Sequence, residues 1–386
     1  MKPYEKFVEN MLNSVRSGQG QDPAAVTALI HDTLRDAGLM PGTRQDGRPQ
    51  APASMPAFDF GGNLNGLSGW ARSGAGASMP DWAARFDPRR SGQGGAVHQP
   101  DPAAPGEFLH GSFSGPTGTR RYRLYVPARL AAGPRPLVVM LHGCTQNAAD
   151  FATGTAMNRL GEEHGCLVLY PDQERSANSS NCWNWFDAAH QGRDGGEPAI
   201  LAGMTREVMK DHGADPRRVY VAGLSAGGAM AAVLGAAYPD LYAAVGVHSG
   251  LPVGAARDLM SALNAMKGAR QGKSVAALRQ RTPVIVFHGD ADHTVHPSNG
   301  AALFRQFADA DGASLRELED DGVGKQRGWT RTTALDDAGR VAAEYWVVHG
   351  AGHAWAGGDP AGSYADADGP DASAEMLRFF LAQARD

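Results

Sequence analysis

Val219-Tyr220-Val221-Ala222-Gly223-Leu224-Ser225-Ala226-Gly227-Gly228 carries a short apolar run straight into a glycine-flanked serine, and the segment from Ala226 to Ala237 behind it has helix length and composition. The run has no polar alternation, which is the pattern of a strand covered on both faces. Five further runs share it: Pro136 to Leu141, Cys166 to Tyr170, Ala243 to Val247, Pro283 to Phe287 and Tyr345 to Val348. Amphipathic segments such as Pro198 to His212 and Pro297 to Phe307 lie between them, while Arg121 to Val126 alternates as a half-exposed strand would. Strand and helix in alternation predict an α/β fold, a mostly parallel sheet flanked by helices. In such sheets ligands bind at the carboxyl ends of the strands.

The residues directly after each run are therefore informative. Leu141 leads into His142-Gly143-Cys144, Phe287 into His288-Gly289-Asp290-Ala291-Asp292, and Val348 into His349-Gly350-Ala351-Gly352-His353. Ser225 sits in G-x-S-x-G between a strand and a helix. A serine hydroxyl attacks only when it stands clear of the surface beside a base, and a tight strand-to-helix turn presents it that way. The base needs a carboxylate to orient it, and in this type of fold the chain order is Ser, acid, His. Asp292 and His353 meet that order as acid and base; Asp290 competes for the acid's role, but Asp292 lies further into its loop and reaches across more easily. The developing oxyanion needs backbone N–H donors. Ala226, at the start of the helix, and Cys144, on the loop after Leu141, are the candidates.

The blocks LHGCTQNAADF, NCWNWF, DPRRVYVAGLSAGGAMA, HGDADHTVHP, GAGHAWAGG and GPDASAEMLRFF, in this order, resemble the poly(3-hydroxybutyrate) depolymerase family of esterases, an α/β-hydrolase group similar to feruloyl and acetylxylan esterases. The resemblance implies an α/β-hydrolase fold, Ser225 as nucleophile, Asp292 as acid, His353 as base, and Cys144 and Ala226 as oxyanion donors. It implies a serine carboxylic-ester hydrolase acting on poly(3-hydroxybutyrate), related hydroxyalkanoate oligomers or a small ester, with a feruloyl or acetylxylan-type carbohydrate esterase as the alternative. It also implies that Cys182 sits near Cys144 and bridges to it, a bond that a reducing cytoplasm would leave absent or labile. No cofactor is expected. Secreted polymer depolymerases of this type bring a signal peptide and a polymer-binding module; neither is recognised here, so soluble oligomers and amorphous polymer stand beside crystalline polymer as expected substrates. Asn181 to Phe186 offers either an apolar wall for an acyl chain or a core contact, and His142, Trp183, Trp185 and Trp355 are expected to touch substrate.

Upstream, residues 1–40 read as a helical pair, with Tyr4, Phe7, Val8, Met11, Leu12 and Val15 on one face and Val26, Leu29, Ile30 and Leu34 on another. Such short helices are expected to dock on the catalytic domain or a second subunit. Residues 41–106 hold 21 Gly or Pro in 66 positions and read as a disordered linker, leaving 107–386 as the catalytic domain. Together the two leading segments also allow a non-catalytic protein tethered to a polymer granule, although a pure binder has no need of a triad.

Lys+Arg 36 against Asp+Glu 41 gives a net charge of −5, so no basic face for nucleic acid or anionic lipid is expected. No run of apolar residues is long enough for a membrane span, and the acids within the first ten residues argue against a secretory signal, which makes a cytoplasmic location the expectation, with export by a non-standard route as the alternative. His288, Asp290, Asp292, His293 and His296 form a dense loop, but an acid loop accounts for them better than a metal site. Gly268 to Ser274 is one residue short of a phosphate loop and comes after no buried strand.

Overall fold

A computed structural model describes residues 104–128, 133–268, 278–312 and 314–385. The helical pair expected over residues 1–40 and nearly all of the Gly/Pro-rich stretch lie outside the described residues. Packed structure begins slightly before 107: Ala104 is buried, and the Gly106 N–H donates to the Tyr125 hydroxyl at 2.9 Å.

Ten strands form one sheet. In chain order they are β1 (Glu107–Gly115), β2 (Gly118–Val126), β3 (Arg135–Leu141), β4 (Leu167–Pro171), β5 (Ala214–Leu224), β6 (Ala244–His248), β7 (Val284–Gly289), β8 (Arg316–Val323), β9 (Gly328–Leu335) and β10 (Val341–Val348). Their spatial order is β1-β2-β4-β3-β5-β6-β7-β10-β9-β8. The central six, from β4 to β10, are parallel; antiparallel strands close both edges, β2 against β4 and β9 against β10. Each apolar run read from the sequence falls on one of these six, with Cys166, Ala243 and Pro283 standing one position ahead of their strands.

Adjacent side chains of a central strand enter different cores. Leu137, Val139 and Leu141 join a cluster with Leu201, Met204, Met230, Leu303 and Phe304, from the helices α3 (Gly196–His212), α4 (Ala226–Ala237) and α6 (Ser298–Ala308). Val138 and Met140 join Phe151, Leu160, Met376 and Phe380, from α1 (Ala148–Thr155), α2 (Met157–His164) and α7 (Ala372–Leu381). Helices thus cover both faces, which is why these strands carry no polar alternation. A short helix, α5 (Leu259–Met266), lies in the excursion between β6 and β7, and a two-residue parallel pair, β11 (Trp355–Ala356) with β12 (Ala365–Asp366), orders the chain after β10. Among the described residues no helix is long and apolar enough to cross a membrane.

The sequence pattern predicts none of β1, β8 and β9. β8 (RELEDDGV) is acidic and mostly exposed, so its strand character comes from pairing with β9 and from cross-strand Arg331–Asp320 and not from an apolar face.

Candidate active site

Because β3, β5, β7 and β10 run parallel, their carboxyl ends share one edge, and every candidate loop starts there. After β5 the chain turns through Ser225 at φ 57°, ψ −119° before α4 begins. That backbone is strained for a residue with a β-carbon. The flanking glycines are required by contact: a Cβ on Gly227 would stand 2.1 Å from the Leu141 carbonyl oxygen, and one on Gly223 would stand 2.4 Å from the Gly227 carbonyl carbon. The turn is pinned from β6, where the His248 carbonyl accepts the Ser225 N–H at 2.9 Å.

Across the same edge the β7 and β10 loops are stitched together, with Asp290 N–H donating to Val348 O and Ala291 N–H to Ala351 O, both at 3.1 Å. They bring Asp292 to His353: Nδ1 and Oδ2 are 2.7 Å apart. The other Asp292 oxygen accepts the N–H groups of Thr294 and Val295 at 2.9 and 2.8 Å, and His288 Nε2 lies 3.5 Å from Oδ2. Burial alone would raise the Asp292 pKa; contacts with His288 and His353 outweigh it and hold the carboxyl far below the usual carboxylate range. An ionised carboxylate only accepts, so His353 Nδ1 carries the proton and Nε2 is left as the basic nitrogen. Asp290 is engaged elsewhere, with half-exposed His349 at 3.0 Å and the Gly350 N–H at 2.7 Å.

The loop after β3 lies against the serine. A Cβ on Gly143 would stand 3.6 Å from the Ser225 Cβ, and the Cys144 N–H has no acceptor among the described residues. Ala226 is the first residue of α4, where N–H groups precede the helical ladder. A disulfide joins Cys144 to Cys182.

The expected substrate contacts need correction. Trp183 is 0% exposed and packs on the His142 ring, and Trp355 is 1% exposed, donates Nε1–H to Ser373 Oγ at 3.0 Å and packs edge-on against Phe151. His142 is fully buried too; its Nδ1 donates to Gly143 O and its Nε2 accepts the Gln173 N–H, and burial pushes its pKa down. These three support the loops from inside the core. Trp185 keeps a narrow exposed edge of 6%. The apolar character of these residues is legible in the sequence, but a tryptophan has the same sequence signal in a core as on a pocket wall.

Sequence reasoning misses His248, although it ends a buried strand just as the other candidates come after theirs. Its ring stacks on Phe287 and Trp355, and its Nε2 accepts the Ala356 N–H at 3.0 Å. Burial, with His288 and His353 nearby, lowers its pKa to about 3, so it stays neutral. It therefore links the serine turn to the loop bearing His353. Among the described residues, no group of three or more His, Cys, Asp or Glu could hold a metal ion.

A central parallel sheet wrapped by helices, with a strained serine turn after β5 and an Asp–His pair from the ends of β7 and β10, defines an α/β-hydrolase. Residues 120–330, over half of the chain, match the family model described as esterase PHB depolymerase, and the chain belongs to that family. It is 33% identical over 241 residues to poly(3-hydroxyalkanoate) depolymerase C of Paucimonas lemoignei, covering 59% of this chain and 57% of that protein, so it spans little more than half of that relative's length. It is 30% identical over 240 residues to acetylxylan esterase A of Aspergillus oryzae, covering 56% of this chain and 75% of the other. The solved acetyl xylan esterase from Aspergillus awamori superposes with a TM-score of 0.53 at 21% identity, over 71% of this chain and 99% of that one, a likeness of fold.

Proposed function

We propose that the protein is a serine carboxylic-ester hydrolase working through an acyl-enzyme. Ser225 Oγ attacks the ester carbonyl while His353 Nε2 takes its proton; Asp292 holds the imidazole and offsets its positive charge. The N–H groups of Cys144 and Ala226 receive the oxyanion. The tetrahedral intermediate then collapses, the C–O bond to the alcohol breaks, and His353 returns the proton to the departing oxygen. Water repeats the sequence on the acyl-enzyme and releases the acid. The observation that carries this reading is the 2.7 Å Asp292–His353 pair on the edge that also bears the strained Ser225 turn.

The substrates this reading favours are poly(3-hydroxybutyrate) and related hydroxyalkanoate oligomers, supported by the family and by the likeness to the Paucimonas lemoignei depolymerase. An acetylxylan-type activity is the second reading, supported by the likeness to acetylxylan esterase A. Release of p-nitrophenol from p-nitrophenyl butyrate, compared with Ser225→Ala, tests the chemistry: the variant should lose roughly 10⁴-fold or more in kcat. Equal inertness of both chains, with binding to polymer granules retained, would instead favour a non-catalytic tether. Clearing of a poly(3-hydroxybutyrate) suspension, run beside acetate release from acetylated xylan and methyl ferulate cleavage, decides the substrate. The Cys144–Cys182 bridge, a bond that persists where the surroundings are oxidising, favours such a compartment over the cytoplasm.

A further inference from the structure

Glu197 is a carboxylate in an expensive place. It lies in the first turn of α3 with its side chain 1% exposed. A buried carboxylate persists only where donors replace its water. Here the Asn184 N–H and side-chain amide each donate at 2.7 Å, Gln173 donates through Nε2, and Arg120 Nη2 lies 3.5 Å away. None of these groups touches the reacting atoms, so the outlay has to be explained by where the bonds lead.

Gln173, just past β4, is the hub. Its Oε1 accepts from Arg120 Nε at 2.8 Å, and its Nε2 also donates to Cys182 O at 2.9 Å. Its backbone N–H donates to His142 Nε2 at 3.1 Å, which leaves the His142 proton on Nδ1, and that nitrogen donates to Gly143 O at 2.8 Å. The Gly143 carbonyl belongs to the same planar peptide as the Cys144 N–H. Fixing one end of that peptide fixes where the other end points. The same carbonyl also accepts the Gln146 N–H at the longer distance of 3.3 Å, and a covalent tether runs from the Cys144 side chain to Cys182, two positions before Asn184.

We propose that Glu197 is a positioning residue: through Gln173 and His142 it orients the Gly143–Cys144 peptide so that the Cys144 N–H faces the oxyanion. This rests on the esterase reading above and adds to it the group that holds the donor in place. A defect here should weaken the transition state and spare the ground state. Glu197→Gln has the same shape but sets an amide among donors, so kcat on p-nitrophenyl butyrate should fall about 10- to 100-fold, short of the roughly 10²–10³ lost with an oxyanion donor itself. KM should stay within about threefold. Inhibition by a trifluoromethyl ketone, which forms a tetrahedral adduct with the serine, should weaken by the same factor as kcat. Asn184→Ala removes a partner from the same carboxylate but leaves the route through Gln173 to His142 intact, and should cost less than fivefold.

If Glu197→Gln does not fold, Gln173→Met, which keeps the backbone N–H to His142 but cuts the side-chain tether, should reproduce the matched losses. Unchanged kcat and inhibitor affinity in a folded variant would overturn the proposal. So would a loss of kcat with inhibitor affinity intact, or equal losses in Glu197→Gln and Asn184→Ala. A wild-type chain inert on the ester and untouched by the ketone would overturn the esterase reading itself, and the proposal with it.

Discussion

Asp290 and Asp292 stand two positions apart on one loop and have unlike surroundings. Asp292 is enclosed, accepts two backbone N–H groups and meets His353; Asp290 is half exposed and meets His349. An exposed pair is worth little, whereas a buried carboxylate holding an imidazole sets its tautomer. Asp292→Asn should therefore lower kcat by roughly 10⁴-fold, because an amide allows the Nδ1 proton to move to Nε2. Asp290→Asn should stay within a few-fold of wild type. Steady-state kinetics of the two variants on one ester checks the assignment; comparable losses would undo it.

At the scale of elements, the serine turn and β6 behave as a unit. Gly227→Ala would drive a Cβ into the Leu141 and His142 carbonyls, backbone atoms with no room to yield, so the variant should be destabilised by several kcal/mol or not fold, as denaturant titration would show. β6 contributes a pH dependence through His248. Its folded pKa of about 3 lies below the ordinary 6.5, so the folded chain binds fewer protons than the unfolded chain between those values. Its stabilising contribution is complete above pH 6.5 and declines as pH falls toward 3, by roughly 1.4 kcal/mol per unit in mid-range. His248→Gln, which keeps an acceptor for the Ala356 N–H, should make unfolding free energy against pH shallower by one proton across that window. An unaltered slope would mean that the imidazole is not neutral in the folded state.

For the molecule as a whole, the sheet supplies direction and the loops supply encounter. The Cys144–Cys182 bond spans 38 positions and ties the loop after β3 to the loop before α3. Closing a loop of that size in the unfolded chain corresponds to about 4 kcal/mol in the chain-entropy model. Reduction with dithiothreitol should therefore lower Tm by several degrees, and it should also lower kcat, because the bond anchors the residue proposed as oxyanion donor. Calorimetry and ester hydrolysis on the same reduced sample read both effects. Retained activity beside a lowered Tm would assign the bond to stability alone.

The residue pattern by itself determined the six central strands, the helix after Ser225, and the arrival of Ser225, Asp292 and His353 on loops at the sheet's carboxyl edge. These obey short-range rules: apolar runs mark doubly covered strands, and glycines mark turns that exclude a β-carbon. It could not decide which way Trp183, Trp355 and His142 face, since burial depends on what packs from distant positions. It offered no sign of β8, whose pairing is set by its neighbour, or of Glu197 and His248, whose importance lies in bonds to Gln173, Asn184, Ser225 and Ala356. Those bonds exist only after parallel strands carry remote loops to a common edge, which is why the tertiary structure alone identifies the groups that hold the site in place.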